Sequence, residues 1–145
     1  MDIESRDENL VKKLLSVYKK SIEHLYNTMP NKDIEEMNDN TEKMIKNIEN
    51  LIIVKNNDEN IIGFMGCEDE NLEMLYLHPD YKKQGLGKEL MNIAINNHNV
   101  SKAHIVKVNT DGIDFCKHMG FIPCEITNGS IYNEAIEMKL SKEAN

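Results

Sequence analysis

The run Leu75-Tyr76-Leu77-His78-Pro79-Asp80-Tyr81-Lys82-Lys83-Gln84-Gly85-Leu86-Gly87-Lys88-Glu89-Leu90 constrains this chain most, because it reads as a strand, a short basic loop and a helix start. Backbone N–H groups in the first turn of a helix lack intrahelical partners and lie at the positive end of the helix dipole, so such a junction suits an anion. Gly85 and Gly87 carry no Cβ, which lets a pyrophosphate approach the main chain and lets the loop take a positive φ. Lys82, Lys83 and Lys88 add positive charge. An ordinary strand-to-helix turn with solvated lysines is the other reading, since short glycine motifs match by chance.

The loop stands against an acidic background. The 145 residues carry a formal net charge of −8, which argues against nucleic-acid binding because that depends on neutralising many phosphates. The length fits one domain, residues 1–145, with a real hydrophobic core. Cys67, Cys116 and Cys124 are odd in number and lack a CxxC spacing, so neither a disulfide framework nor a zinc site is expected. His24, His98, His104 and His118 show no metal-ligand spacing, and no metal is expected. The N-terminus is acidic where a signal peptide would be basic, and no apolar run approaches membrane-spanning length. A cytoplasmic protein without membrane or nucleic-acid partners is expected, as a monomer or homodimer.

Element order follows from periodicity. Ser5-x-x-Glu8 reads as a capping box opening a helix with Leu10, Leu14, Val17, Tyr18, Ile22 and Leu25 on one face, ended by Pro30 and preceded by a short strand. Residues 31–50 repeat helical spacing, with Asn40-Thr41 as an internal cap or break. Three β runs follow, 51–54, 61–67 and 72–77, and predict an antiparallel meander. Beyond the glycine loop, a helix through Leu86, Leu90, Ile93 and Ala94 leads to a strand at 105–108, which makes a β-α-β crossover. Such crossovers are right-handed, so the helix N-terminus lies beside the C-terminal end of the preceding strand. Residues 113–118 read as a short helix closed by Gly120; Phe121 starts a strand, and Asn128-Gly129 is a hairpin turn to a final strand with Ile136, Met138 and Leu140.

Three of these segments together resemble the GCN5-related N-acetyltransferases. Lys82-x-x-Gly85-x-Gly87 is similar to the family's acetyl-coenzyme A loop, Gln/Arg-x-x-Gly-x-Gly/Ala. The segment from Phe115 through Cys116 to Gly120 and Phe121 resembles its second signature, and Ile61-Ile62-Gly63-Phe64 resembles the strand before the cofactor strand. The resemblance implies an α/β fold: a twisted mixed sheet of about seven strands, a splayed parallel pair in its middle and helices on both faces. It implies acetyl transfer from acetyl-CoA to a primary amine of a small molecule or peptide, by direct attack in a ternary complex.

The same resemblance implies the site. The main chain of Leu75 and Leu77 is expected to pair with pantetheine amides, and the segment Lys82, Lys83, Gln84, Gly85, Leu86, Gly87 and Lys88 to hold the pyrophosphate. Asn109 matches a position that contacts the cofactor, although a helix N-cap is an equal reading. Glu73 is a candidate base on the cofactor strand, against the reading of a solvated strand residue, and the Leu77 N–H is a candidate oxyanion donor. Cys116 stands where relatives carry a Tyr that protonates the leaving thiolate. It is read as a poorer acid, as a buried filler with the step left to water or a hydroxyl such as Tyr132, or as an acylated nucleophile.

Acceptor choice is weakly written in the sequence. Tyr18, His24, Tyr26 and Met29 are candidate substrate residues, and the acidic face of Asp33, Glu35, Glu36, Asp39 and Glu42 reads as solvated or as attracting a cationic amine. A catalytically weak or inactive coenzyme A binding module is the alternative to an enzyme. A P-loop protein fits poorly, because Gly85-Leu86-Gly87-Lys88-Glu89 lacks the four-residue gap between glycines and the Ser/Thr after Lys.

Overall fold

The structure is a computed structural model that describes residues 6–82, 84–126 and 135–141. Helix α1 (Glu8–Ser21) is capped by Asp7, whose carboxylate accepts the Leu10 N–H at 2.8 Å. The cap expected at Ser5 therefore sits two residues later, and Glu8 is the first helical residue. Nor does the helix run to Pro30: α1 stops at Ser21, whose hydroxyl donates to the Tyr18 carbonyl, and a 3-10 turn (Glu23–Thr28) follows. Pro30 instead opens α2 (Asn31–Asn47), where its fixed φ suits the start of a helix. Asn40 and Thr41 lie inside α2 without a break, since Thr41 is buried and packing overrides its weak helix preference.

The described residues form six strands in the order β1-β2-β3-β4-β6-β5. Strands β1 (Asn50–Lys55), β2 (Ile61–Glu68) and β3 (Asn71–Leu77) make the antiparallel meander read from the sequence. Helix α3 (Leu86–Asn97) crosses over to β4 (Lys102–Val106), parallel to β3; α4 (Thr110–His118) then precedes β5 (Phe121–Ile126). Strand β6 (Ala135–Leu140) inserts between β4 and β5, antiparallel to both. The short first strand and the Asn128-Gly129 turn lie outside the described residues. Strand β4 begins three residues earlier than its apolar run, and α4 likewise begins at Thr110 rather than Ile113.

Helices cover both faces of the sheet. Leu14, Tyr18 and Ile45 of α1 and α2 pack with Phe64 and Met74 on one side; Leu90, Met91, Ile113 and Cys116 of α3 and α4 pack with Met65 and Leu72 on the other. Alternation along β2 puts Phe64 and Met65 in opposite cores, and both are fully buried. At Gly63 a Cβ would run into the Leu77 side chain and lie 3.0 Å from the Tyr76 carbonyl, so the bare backbone lets β3 lie close against β2.

The parallel pair of β3 and β4 has only two rungs, Asn71 opposite Lys102 and Leu72 opposite Ala103. At the same place β3 slips against β2. Gly66 faces Met74 and Cys67 faces Leu72, which leaves Glu73 as an extra residue. A bulge of this kind bends and twists its strand. Here it coincides with the point at which β3 leaves β4.

Candidate active site

The split between β3 and β4 opens a cleft of about 310 Å³, floored by Met74 and Leu75 of β3 and Ile105 and Val106 of β4. Which main-chain groups face it follows from one hydrogen bond. The His78 N–H donates to the Ile62 carbonyl at 2.8 Å, and opposed residues in an antiparallel pair alternate between bonded and unbonded. Tyr76, opposite Phe64, therefore turns its main chain toward β2, whereas Leu75 and Leu77 turn theirs toward the split. Past Ala103, no rung with β4 meets them.

At the mouth of the split, α3 begins with Gly85 at φ +82, the left-handed conformation that glycine reaches without a Cβ penalty. A Cβ there would meet nothing within 4 Å. The first intrahelical bond runs from Glu89 N–H to Gly85 O, so the amides up to Lys88 are the unpartnered first turn of the helix. Gly87 faces inward: a Cβ would sit 3.5 Å from the Phe115 ring and 3.6 Å from Leu77. Phe115 of the second sequence signature thus packs against the glycine loop of the first. Lys88 and Gln84 are exposed, and Lys83 lies outside the described residues.

Asn109 is the N-cap of α4, its side-chain oxygen accepting the Gly112 N–H at 3.1 Å, and it also lines the cleft. Gly112 makes room for this cap, since a Cβ there would come within 2.7 Å of Asn109 Nδ2. Cys116 borders the cleft but is 3 % exposed, and burial pushes its thiol up to about 12. A thiol so reluctant to ionise is a poor proton donor and holds only about one part in 10⁵ thiolate near neutral pH.

Glu73 is not a solvated strand residue. Its Oε1 lies 3.0 Å from His104 Nδ1, and His104 Nε2 lies 3.5 Å from Glu137 Oε1. Glu73 and His104 line the cleft at the point of splaying. His104, which the sequence reading left as a histidine without metal spacing, is the site residue it missed. Its signal is its register: it pairs across with Glu137, two residues along β4 from the last-but-one parallel rung at Lys102. The two carboxylates take opposite ring nitrogens and do not converge on one point. Among the described residues no group of three or more His, Cys, Asp or Glu is arranged to hold a metal ion.

The candidate acceptor residues part company. Tyr18 lines the cleft, fully buried, with its ring edge-on to Tyr76 at 4.8 Å, and burial pushes its hydroxyl up to about 12. Thr41 is the polar side chain beside its oxygen and partly offsets that rise. Met29 is buried in the core beneath α1. His24 is exposed near Asp111, at 3.8 Å, and Tyr26 sits in a second depression with Lys12, Lys19 and Lys20 that shares no residue with the cleft. Of the acidic face, Asp33 is buried and Glu42 pairs with Lys46 at 3.9 Å.

This geometry is that of an acetyltransferase. The family model described as Acetyltransferase (GNAT) domain matches residues 8–142. A peptidyl-lysine N-acetyltransferase of Salmonella typhimurium, YjaB, is 26% identical over 109 residues, covering 75% of this chain and 74% of its own. The solution structure of apo YjaB from Escherichia coli superposes with a TM-score of 0.78 at 16% identity over 90% of each chain. The PaiA N-acetyltransferase of Thermoplasma acidophilum, in complex with coenzyme A, gives 0.65 at 20% identity over 97% of this chain and 96% of that one. The chain belongs to the GNAT acetyltransferase family and is an acetyl-CoA-dependent N-acetyltransferase.

Proposed function

We propose that the chain acetylates a primary amine presented between the first two helices and the split sheet, with a peptidyl lysine side chain as the favoured acceptor. The observation that carries this reading is the outward main chain of Leu75 and Leu77 leading to the bare helix start at Gly85. Acetyl-CoA supplies the activated thioester. In this reading Leu75 and Leu77 hold its pantetheine arm through their amides and carbonyls, and the amides from Lys83 to Lys88 hold its pyrophosphate. Leu75 lines the cleft, and the space beside Gly85 is open, which suits such a ligand.

Three tasks fall to the chain. Glu73 accepts the proton of the incoming ammonium, as the single carboxylate among the described cleft-lining residues, which include no Lys or Arg. The Leu77 N–H stabilises the oxyanion of the tetrahedral intermediate. Cys116 fills space, because its raised pKa makes it a weaker acid than the departing thiol, and water returns the proton to the thiolate. The peptidyl-lysine acceptor is inferred from the likeness to YjaB, and an apolar cleft wall of Ile22, Leu25 and Met37 suits the methylene stem of a lysine.

The test is a thermal-shift titration with acetyl-CoA, coupled to thiol release against lysine peptides, polyamines, amino acids and amino sugars. We expect protection of the wild-type protein, its loss in Gly85→Asp/Gly87→Asp, and the fastest thiol release with lysine peptides. Undiminished protection of the double variant overturns the site.

A further inference from the structure

We propose that His104 is a positioning residue for this reaction: held by Glu137 from one side, it fixes the carboxylate of Glu73 at the lip of the cleft. The inference rests on the proposed acetyl transfer and deepens it, by naming what makes an unremarkable strand glutamate a base.

The three residues come from three adjacent strands, β3, β4 and β6, and their order across the sheet is the order of the contacts. Glu73 is the extra residue of the bulge, so it owes its direction to a local break in pairing rather than to the sheet's regular pleat. A side chain on such a residue gains a fixed geometry only from a partner. His104 is that partner, at hydrogen-bonding distance through Nδ1 to Oε1, and Oε2 is left to accept a proton from the cleft. A base whose own orientation is set by a third group is the arrangement that recurs wherever a proton must be taken on cue.

Glu137 completes the chain from behind. It is directly opposite His104 in the β4/β6 register, with side-chain exposure of 17%, below the 27% of His104 and 25% of Glu73. Nδ1 faces Glu73 and Nε2 faces Glu137, so one ring spans the gap between the two carboxylates. The next cross-strand pair on the same face of β4 and β6 is Lys102 opposite Lys139, two residues from His104 and Glu137. Tyr18, Tyr76 and Cys116 are the other titratable groups among the described cleft-lining residues, and burial raises the pKa of each. The contact of 3.5 Å to Glu137 is longer than a formed N–H···O bond, so Glu137 acts on the ring as a nearby carboxylate rather than as a hydrogen-bond acceptor.

The experiment is steady-state kinetics on His104→Phe, His104→Gln, Glu137→Gln and Glu73→Gln, with the best amine acceptor found for the wild type. His104→Phe removes the donor while keeping a ring; we expect kcat to fall roughly 30-fold with KM for acetyl-CoA unchanged, because the base remains but is no longer held. Gln retains an N–H, and we expect His104→Gln to recover part of that loss. Glu137→Gln should lower kcat by about threefold, again without moving KM. Should His104→Phe fail to fold, Glu137→Gln and His104→Gln carry the test. Wild-type kcat in those variants overturns the proposal, as does a fall in kcat matched by an equal rise in KM for acetyl-CoA. Wild-type kcat in Glu73→Gln overturns it too, while leaving acetyl transfer intact. Absence of thiol release by the wild type with every amine overturns the functional reading itself.

Discussion

Lys82 Nζ donates to the carbonyl oxygen of Ser21 at 3.2 Å, which ties the residue heading the glycine loop to the last turn of α1. The sequence suggested a lysine turned toward phosphate. In the structure the side chain serves one of the orphan carbonyls at a helix C-terminus, where the dipole favours a cation. The glycine loop and helix α1 are thereby joined through one ammonium group.

Replacing that group tests the link. Lys82→Met keeps the stem and removes the donor, and we expect a loss of up to about 1 kcal/mol, or a Tm lower by roughly 3–5 °C. Acetyl-CoA protection should fall only slightly, because the pyrophosphate contacts come from main-chain amides. A large loss of protection with an unchanged Tm would place the lysine on the phosphate instead.

The two loop glycines have different duties and should separate by alanine substitution. Gly85→Ala forces a side chain into the left-handed region, costing about 1 kcal/mol, and puts a methyl into the open space at the helix start. Both Tm and acetyl-CoA affinity should drop. Gly87→Ala meets Phe115 at ordinary contact distance within a helix that favours alanine over glycine. Its Tm should hold or rise, and its affinity should fall less than that of Gly85→Ala. Differential scanning fluorimetry with and without acetyl-CoA reads both quantities.

For Cys116 the expected result is chemical silence with a structural cost. Cys116→Ala should keep kcat within about twofold of wild type, and lose about 1 kcal/mol from the emptied volume. The thiol also shapes the alkaline limb of stability. Below pH 9.0 it is neutral in folded and unfolded chains alike; above it the unfolded chain ionises first, so stability falls as pH rises toward about 12. Tyr18 adds the same trend from pH 10.0 upward. Urea melts between pH 8 and 11 should show a shallower decline in Cys116→Ala, because the Cys116 contribution is removed while those of Cys67 and the tyrosines remain.

Much of this was legible in residue order. The meander, the crossover, the positive φ at Gly85 and Gly120, and the cap formed by Asn109 all follow from local chemistry, and the structure bears them out. Boundaries were less so. Ser5 and Asp7 both offer an N-cap side chain two residues apart, and Pro30 signals the start of a helix as readily as the end of one.

What the amino-acid order determined by itself was the phosphate-type loop, since two glycines at a strand-to-helix junction fix the backbone freedom there whatever surrounds it. What only the tertiary structure decided was which ionisable side chains meet at the cleft. Glu73, His104 and Glu137 lie 31 and 33 residues apart along the chain, and they meet because β6 inserts beside β4 while a bulge turns β3 away. Likewise burial against the sheet raises the pKa of the Cys116 thiol. Local conformational preference reaches only a few residues, whereas desolvation and cross-strand contact are properties of the packed whole.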